Sequence, residues 1–505
     1  MLVSECTCTR TRIWKYMGKE DAMYSSIVRF VEEDLREIEK TVTNLLNGIG
    51  DGADLSREVH ERVLKMGCRL VSEIYERIDE EIFKSSHRKE KYYVEKKNMP
   101  RTIIDSMGTL TFKRRGYVSR DTGEYTYLLD IVVGIDNCQK VSLAAVANAL
   151  EEAVESSYAK GGEKVNLLDN VSKESVKEWI HGMEIKLKAD GSSECIDKNE
   201  GKKENNSSFL KKIKNLYIVT DEDHVAAQFM EYKGDIRRNG VKRRNTIIDK
   251  LVVLYEQVID EAPEGAEEHR YRLMGKHTFC GVYDGEEGNR RLWEEVQNYI
   301  DEKYDEETLE AVYVAGDGAD WMREGAGMIR KGRFILDKFH MMKNIRTLVS
   351  HLDNASEMKQ ILWELIDEGD RSGMEKTLKE IVEATHKGSV KYKDVKKVRK
   401  WFMDNFDGIE ARTSESDRNW ECCAEAQVSH VLSDRLSSRP MGWSRQGCDR
   451  ISKLRAYTRN EGKILDLLRS QEKRKILEEK RRELSDLMND VKIRQIEWKT
   501  WERPA

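Results

Sequence analysis

The chain has 505 residues, of which 36% are charged, 39% are hydrophobic and only 4 are proline. That length indicates several domains, and that hydrophobic content excludes a disordered chain. The 88 Lys and Arg residues against 93 Asp and Glu residues leave a net charge of −5, so any basic surface for nucleic acid must be local. No apolar run reaches the roughly 20 residues of a membrane span, and no apolar signal core is present. The nine scattered cysteines are typical of reduced thiols, so we expect a cytoplasmic protein without a membrane partner.

Residues 1–87 are predicted to form an N-terminal helical region. Apolar residues recur at helical spacing from Ile27 to Leu45 and again from Val59 to Ile82. The glycine-rich segment 48–54 separates the two sets. We therefore expect a helical hairpin with acidic outer faces.

Residues 88–186 are predicted to form a DNA-binding region that begins with a β-hairpin. Alternating side chains predict a strand at 109–117, and turn residues at 119–123 lead into a return strand at 124–129. Three cations on the first strand are candidate phosphate contacts: Lys113, Arg114 and Arg115.

A helix from about 142 to 158 and a short capped helix at 170–180 follow the hairpin. This pattern is compatible with a helix-turn-helix, and equally with simple packing of two helices. Residues 187–214 are polar and charged, which predicts a linker.

Residues 215–338 are predicted to form a mixed sheet with helices on its faces. The order is βββαβαβ, with strands at 216–221, 247–258, 271–283, 311–317 and 333–337. Two of these strands end in an acid, Asp221 and Asp317. If the first and fourth strands are neighbours, the two carboxylates lie close together at one end of the sheet.

Paired carboxylates repel each other, and a divalent cation relieves that repulsion. Oxygen ligands without His or Cys clusters suit Mg²⁺ or Mn²⁺, and two such ions about 3.5–4 Å apart can catalyse phosphoryl transfer. Either acid by itself is more typical of an ordinary loop, and Asp317-Gly318 is a turn signal. Acids on strands one and four of a βββαβα order are the ribonuclease H-like arrangement, in which a later helix supplies a third acid.

Four ordered blocks resemble the signature blocks of the ISLre-two insertion-sequence transposases: DEDHV (221–225), VAGDGADW (314–321), LDKFHMMKNI (336–345) and AEAQVSHVLSDRLSSRPMGWS (424–444). These are bacterial transposases of the DDE type, many of which are grouped as an uncharacterised protein family. Segments 101–130 and 451–463 are also similar, so the resemblance covers about residues 25 to 465. It implies a ribonuclease H-like core, and an enzyme that cuts the ends of its element and joins them to target DNA on the bacterial nucleoid.

The resemblance places the metal-binding and catalytic acids at Asp221, Asp317 and Glu425, with a pair of Mg²⁺ or Mn²⁺ ions. The family usually has Glu-Gly-His at the third acid, whereas this chain has Glu425 followed by Ala426 and Gln427, which leaves the activity of this copy open. Spacing alone does not exclude Glu421 as the third acid; a following apolar stripe favours Glu425.

Three further polar residues lie in the blocks that carry the resemblance and could support the ligands: Asp223, Asp337 and His340. Asp223 is a rival to Asp221, which we prefer because it ends the apolar strand. For Asp337, a buried helix cap is the competing interpretation.

The rest of the chain is predicted to be helical. Residues 339–420 form a helical insertion with its own core, 421–450 carry the third acid, and 451–505 form a charged tail. Segment 429–476 has 12 Lys and Arg against 5 Asp and Glu. Three of its cations flank a break beside the third acid and are expected to hold phosphates: Arg435, Arg439 and Arg445.

The expected partners are therefore the terminal repeats of the element, target DNA and further copies of the chain in a synaptic complex. Two alternatives stay open. One is a metal-dependent nuclease of the same fold without strand transfer, and the other is an inactive DNA-binding relic.

Overall fold

A computed structural model describes residues 25–185, 210–228, 246–263, 265–414, 424–439 and 441–496. The chain divides into two compact units, one formed by its two ends up to 178 and from 468, the other by 179–467. Most of the predicted linker 187–214 lies outside the described residues. Within them, no helix is both long and apolar enough to cross a bilayer.

The first unit begins with the predicted helical hairpin, which is confirmed. Its helices are α1 (Ser25–Arg29), a π-helical turn (Phe30–Asp34), α2 (Leu35–Leu46) and α3 (Gly52–Lys84). The side chain of Asp51 caps α3 by accepting hydrogen bonds from the backbone N–H groups of Ala53 and Asp54 at 2.8 and 3.2 Å. Helix α3 therefore begins within the glycine-rich segment 48–54.

A β-hairpin follows the short helix α4 (Ser86–Lys91), but its pairing differs from the prediction. The main partners are β1 (Tyr92–Asp105) and β2 (Gly108–Ser119), and β3 (Tyr125–Thr126) adds two residues at the other edge of β2. The predicted return strand 124–129 is short because Leu128 and Leu129 begin helix α5 (Leu128–Val133) and are fully buried there. Burial in the core outcompetes continued pairing.

Helix α3 covers part of the edge of β2 that does not pair with β1. Alternate backbone N–H groups of β2 donate to side chains spaced about one helical turn apart: Thr111 to Ser72, Lys113 to Glu76 and Arg115 to Asp79, at 2.8–3.2 Å. This satisfies strand donors that would otherwise stay unpaired.

The remaining helices of this unit are α6 (Leu143–Glu155), α7 (Tyr158–Glu163), α8 (Lys173–Gly182), α20 (Glu472–Glu483) and α21 (Ser485–Ile496). Leu484, Leu487 and Val491 from the C-terminal end join the same core as Ile82 and Phe112. The helices expected at 142–158 and 170–180 are present as α6 and α8, with α7 between them. Whether they read DNA as a helix-turn-helix stays a prediction.

The second unit contains a five-stranded mixed sheet in the order β10-β9-β4-β5-β8. Its strands are β4 (Asn215–Ala226), β5 (Thr246–Tyr255), β8 (His277–Gly281), β9 (Ala311–Gly316) and β10 (Gly332–Leu336), and a separate ribbon joins β6 (Gln257–Asp260) to β7 (Tyr271–Met274). β4 runs antiparallel to β5 and parallel to β9. The order of strands and helices matches the predicted βββαβαβ, except that the second and third predicted strands are each divided in two.

Two helices, α9 (Gly285–Lys303) and α10 (Asp320–Met328), cover one face of this sheet. Residues on that face of the strands pack with them in a common core that includes Ile218, Val252, Val314, Trp293 and Met322. The opposite face of β4 and β5 is therefore the one left for the C-terminal helices.

The predicted helical insertion consists of α11 (Lys338–Val349), α12 (Ala355–Glu368), α13 (Arg371–Ala384), α14 (Val390–Asp404) and α15 (Phe406–Ser414). These helices enclose a core of their own, which includes Leu348, Leu362, Leu378 and Phe402. After it come α16 (Ala424–Val428), a π-helical segment (Ser429–Ser433), α17 (Asp434–Leu436), α18 (Arg445–Arg459) and α19 (Ile464–Ser470).

The C-terminal part does not form the single tail expected for 451–505. The predicted boundary at 450 falls inside α18, whose buried residues include Cys448 and Ser452, both bonded to the β5 residue Asp249. Only α20 and α21 belong to the first unit. The charge of residues 451–505 indicates a single tail. Their packing instead places α18 in the second unit and α20 and α21 in the first.

Candidate active site

Asp221 and Asp317 lie at matching levels on adjacent strands. The parallel pairing of β4 with β9 ends at Val219 opposite Ala315, and each aspartate comes two residues later in its own strand direction. The expectation that the first and fourth strands are neighbours is therefore confirmed. Parallel neighbours bring their carboxyl ends to one end of a sheet, so the two acids share an environment.

The prediction that Asp221 ends its strand is wrong. β4 continues to Ala226, paired with β5, so Asp221 and Asp223 both lie within the strand. They share one face because side chains alternate, and each is 9% exposed. The hydroxyl of Ser433 donates to Asp223 at 3.2 Å. The two acids therefore differ in the side chains that surround them and not in their position relative to the end of the strand.

Asp221 is electrostatically linked to both other predicted ligands. Burial raises the pKa of Asp221 to about 6, the backbone N–H of Glu222 and the charge of His340 oppose this rise, and the negative charges of Glu425 and Asp317 add to it. Glu425 is half-buried on α16, which packs against β4. The structure thus brings Asp221, Asp317 and Glu425 around one end of the sheet, whereas Glu421 lies outside the described residues.

The helical insertion holds the loop that follows Asp317. The indole N–H of Trp401 donates to the backbone carbonyl of Asp317 at 2.8 Å, and the Asp317 side chain accepts from the N–H of Ala319 at 2.8 Å. Gly318 has φ +90°, and a Cβ there would lie 2.3 Å from the side chain of Asn405. Trp401 and Asn405 were not found from the sequence, because nothing local links them to residue 317.

Asp337 is a helix cap, as one of its two predicted roles required. It follows β10, donates its backbone N–H to Gly316 at 2.9 Å, and accepts at 3.0 Å from both the backbone N–H and the ring Nδ1 of His340. Burial lowers the pKa of His340, but the bond to Asp337 and the charges of Asp337, Asp221 and Asp317 raise it overall. The charged form of the His340 imidazole is therefore favoured by the acids beside it.

The three acids fit a divalent cation in the type of ligand they offer. Carboxylate oxygens are what Mg²⁺ and Mn²⁺ prefer. In the part of the chain that the structure describes, however, no three His, Cys, Asp or Glu side chains are close enough together to hold one ion. The metal pair therefore stays a prediction.

The departure from Glu-Gly-His has a structural consequence. Ala426 is exposed on α16, and the side chain of Gln427 accepts a hydrogen bond from Nζ of Lys276 at 2.6 Å. Gln427 thus links α16 to the segment between β7 and β8. The acceptor in this contact is a neutral amide oxygen.

Sequence reasoning missed Asp249, which forms a second acid pair with Asp223. Asp249 on β5 lies directly opposite Asp223, is fully buried, and accepts a hydrogen bond from the hydroxyl of Ser452 and a longer one from the Cys448 thiol at 3.6 Å. The signal was present as an acid in the apolar strand TIIDKLVVLY. Asp223 on β4 thus binds the π-helical segment, and Asp249 on the neighbouring strand β5 binds α18.

Asp249 is expected to make stability depend on pH. Burial raises its pKa from 3.8 to about 7, the Ser452 hydroxyl opposes this, and the nearby charges of Asp449 and Asp223 add to it. A carboxyl group whose pKa is raised by folding makes its full contribution to stability below its pKa in the unfolded state. That contribution is lost as pH rises through its pKa in the folded state. From about pH 5 to about pH 7, the free energy of unfolding of the wild type should therefore fall relative to that of Asp249→Asn by on the order of 1–3 kcal/mol. Parallel pH-dependent curves from urea denaturation of the two proteins would contradict this.

Arg455 supports the helix that carries Glu425. Its guanidinium is 1% exposed and donates from Nη2 to the carbonyl of His430 at 2.8 Å and from Nε to the carbonyl of Val431. Both carbonyls belong to the π-helical segment, where the wider turn alters the direction of the chain. We therefore assign Arg455 as a positioning residue for the third acid.

Arg455→Gln is expected to lower the DNA cleavage that the sequence predicts by about 10- to 100-fold per folded molecule, because a small displacement of a reacting group is that costly. Arg455→Lys should recover part of this loss. Leu454→Ala is the matched control: it also empties a buried site on α18, at a cost of about 2–5 kcal/mol, but it makes no bond to the π-helical segment. If cleavage below the melting temperature falls equally in both variants, the role of Arg455 is only structural.

Four of the six predicted DNA-contacting cations have partners within the protein. Arg114 is buried in an ion pair with Asp130, and Arg115 pairs with Asp79 and Glu80. Arg435 is 3% exposed and stacks on Trp443, with 4.7 Å between its guanidinium carbon and the ring centroid. Arg445 pairs with Asp284 at the surface.

The burial of Arg114 and Arg435 argues against their predicted contact with DNA, because neither side chain lies on a surface that a phosphate could reach. Arg115 and Arg445 would have to exchange an existing partner. Lys113 and Arg439 are exposed and keep their predicted role.

Residues 48–474 match the family described as Uncharacterised protein family (UPF0236). Similar proteins occur in Caldanaerobacter subterraneus subsp. tengcongensis. UPF0236 protein TTE0402 is 31% identical over 449 residues, covering 89% of this chain and 81% of its own length. UPF0236 protein TTE2489 is 31% identical over 432 residues, covering 85% and 84%. A third is 30% identical over 449 residues, covering 89% and 85%, and its printed name joins eleven locus designations.

Proposed function

Because this chain belongs to the Uncharacterised protein family (UPF0236), and because its acids gather at one end of a mixed sheet, we propose that it is a DNA transposase of the DDE type. Its fold would be ribonuclease H-like, and it would act as the ISLre-two insertion-sequence transposases do, whose signature blocks it resembles. It would cut the ends of its element and join them to target DNA.

The observation that carries the proposal is the convergence of three acids from distant parts of the chain. Asp221 and Asp317 come from neighbouring parallel strands, and Glu425 comes from a helix packed on the first of them. The strand order β8-β5-β4-β9-β10, with one antiparallel hairpin side and one parallel side, is the order expected of a ribonuclease H-like sheet. The family resemblance implies both features, and they agree with each other.

The names of the relatives add a second line of support. One relative is known under eleven locus designations and another under four. A single protein encoded at many loci is what an element that copies itself through a genome leaves behind. A housekeeping nuclease would not be expected to accumulate in this way.

In the proposed reaction, water attacks a phosphodiester at the element end and the bond from phosphorus to the 3′ oxygen breaks, which leaves a 3′-hydroxyl. That hydroxyl then attacks a phosphodiester of target DNA and displaces a second 3′ oxygen. A divalent cation, Mg²⁺ or Mn²⁺ as a pair, would be held by Asp221, Asp317 and Glu425 and would stabilise the charge that develops at phosphorus.

The residues around these acids have separable roles. Asp337 engages Nδ1 of His340, so Nε2 is the nitrogen left to donate to a phosphate oxygen of the substrate. Trp401 and Asn405 hold the Asp317 loop, and Arg455 holds the segment beyond Glu425. Trp401 and Arg455 thus make bonds, and Asn405 a close packing contact, that do not require the substrate.

The test is a joining assay with purified protein and DNA from the two borders of its gene. Mg²⁺ or Mn²⁺ should support cutting and joining, and Ca²⁺ should inhibit, because its larger and looser coordination positions the attacking oxygen poorly. Cutting without joining would favour the nuclease alternative. Binding without cutting, together with borders that lack inverted repeats, would favour the inactive relic, and full activity in chelator would refute the mechanism.

A further inference from the structure

Helix α11 carries an exposed stripe that the acid site does not use. Its twelve residues, KFHMMKNIRTLV, contain three Lys and Arg residues and no acid. Phe339, Lys343 and Arg346 are spaced four and three residues apart and so lie along one side of the helix. Phe339 is 36% exposed and Met342, beside the stripe, is 48% exposed.

The stripe begins next to the acids. The Phe339 ring meets the His340 ring edge-on, with 5.4 Å between centroids, and His340 is the residue on which the charges of Asp221 and Asp317 act. The other side of α11 is anchored in the insertion core by Met341, Ile345 and Leu348. The orientation of the stripe is therefore fixed by packing, and it leads away from the acid end of the sheet.

The charge of the stripe suits a polyanion. Among the described residues, neither Lys343 nor Arg346 forms an ion pair, although ion pairs are common elsewhere on the surface. Cations next to an exposed aromatic ring are the combination that binds single-stranded nucleic acid, since phosphates follow the cations and a base stacks on the ring. Two separate features, charge and exposed apolar surface, thus indicate the same occupant.

We propose that the Phe339–Lys343–Arg346 stripe binds the unpaired strand of substrate DNA as it leaves the acids. This inference rests on the proposed function and locates its substrate strand. Phe339 stacks on a base, and Lys343 and Arg346 hold the phosphates that follow. Duplex DNA, whose bases are already stacked, makes no use of Phe339.

The test measures binding by full-length protein in chelator, where no chemistry occurs. The probes are a duplex from the gene border with a single-stranded thymidine overhang, and the same duplex with blunt ends. Phe339→Ala should weaken binding of the overhang duplex by about tenfold and leave the blunt duplex unchanged. Lys343→Gln and Arg346→Gln should each reduce the salt dependence of overhang binding by about 0.7 in log–log slope.

Two variants from the same helical insertion serve as controls. Val390→Ala removes an apolar side chain that is 81% exposed, and Lys379→Gln removes an exposed cation on α13; neither should change binding. Equal losses for both DNA probes, or losses equal to those of the controls, would overturn the proposal. So would a change in oligomeric state in sedimentation that accounts for the lost affinity, because the stripe would then bind a second copy.

The joining assay with wild-type protein keeps this inference separate from the proposed function. If the wild type cuts and joins while the stripe variants bind the overhang normally, only the stripe assignment fails. If the wild type binds neither probe and does not cut, the proposed function fails with it.

Discussion

Glu425→Gln is expected to reduce DNA cleavage and joining by at least about a thousandfold while DNA binding stays unchanged. The substitution keeps the size of the side chain and removes one of the charges that act on Asp221. The fold should tolerate it, because Glu425 is only half-buried and the neighbouring apolar residues Val428 and Leu432 still pack. Gel-based cleavage and anisotropy binding on the same preparation measure both effects.

Two glutamates provide the controls for this experiment. Glu410→Gln removes an exposed carboxylate from α15 in the same unit and should leave cleavage unchanged. Glu421→Gln, four residues before the third acid, should also retain most activity. A Glu421 variant that is inactive, combined with an active Glu425 variant, would move the third acid one helical turn toward the N-terminus.

Arg114→Gln is expected to lower the free energy of unfolding of the first unit by about 3–5 kcal/mol, because it leaves a buried carboxylate without its partner. Arg114 is 5% exposed, and Asp130 is fully buried. The guanidinium also stacks on Tyr127, with 3.6 Å between its carbon and the ring centroid. The thermal transition of the first unit should therefore move to lower temperature, whether or not DNA is present.

Lys113→Gln is the matched control, one residue earlier on the same strand and exposed. It should leave the melting temperature unchanged and weaken DNA binding with a reduced salt dependence. If Arg114→Gln instead keeps wild-type stability and loses DNA affinity, the cation is a DNA contact as the sequence alone suggested. Circular dichroism melts and salt titrations of binding separate the two outcomes.

The candidate acids could be singled out from the sequence because their signals are local. A β-branched run ending near an acid marks Asp221 and Asp317, and helical spacing marks the apolar stripe after Glu425. The order of strands and helices follows from the same periodicities, so the sheet and its helical insertion agreed with expectation. By contrast, the preference for Asp221 over Asp223 used a strand end that does not exist, since pairing with β5 carries β4 on to Ala226.

The sequence by itself determined the helical hairpin, the order of strands and helices along the chain and the insertion. It also marked Asp221 and Asp317 as candidates, whereas Glu425 was placed through the family resemblance. The tertiary structure alone decided which charges are available to a ligand. Arg114, Arg435 and Arg455 look like surface cations in a basic stretch, yet each is buried against groups that lie 8 to 25 residues away in the chain. Periodicity records which face of an element is apolar, but the partner of a charged side chain depends on which elements pack together, and that is a long-range property of the fold.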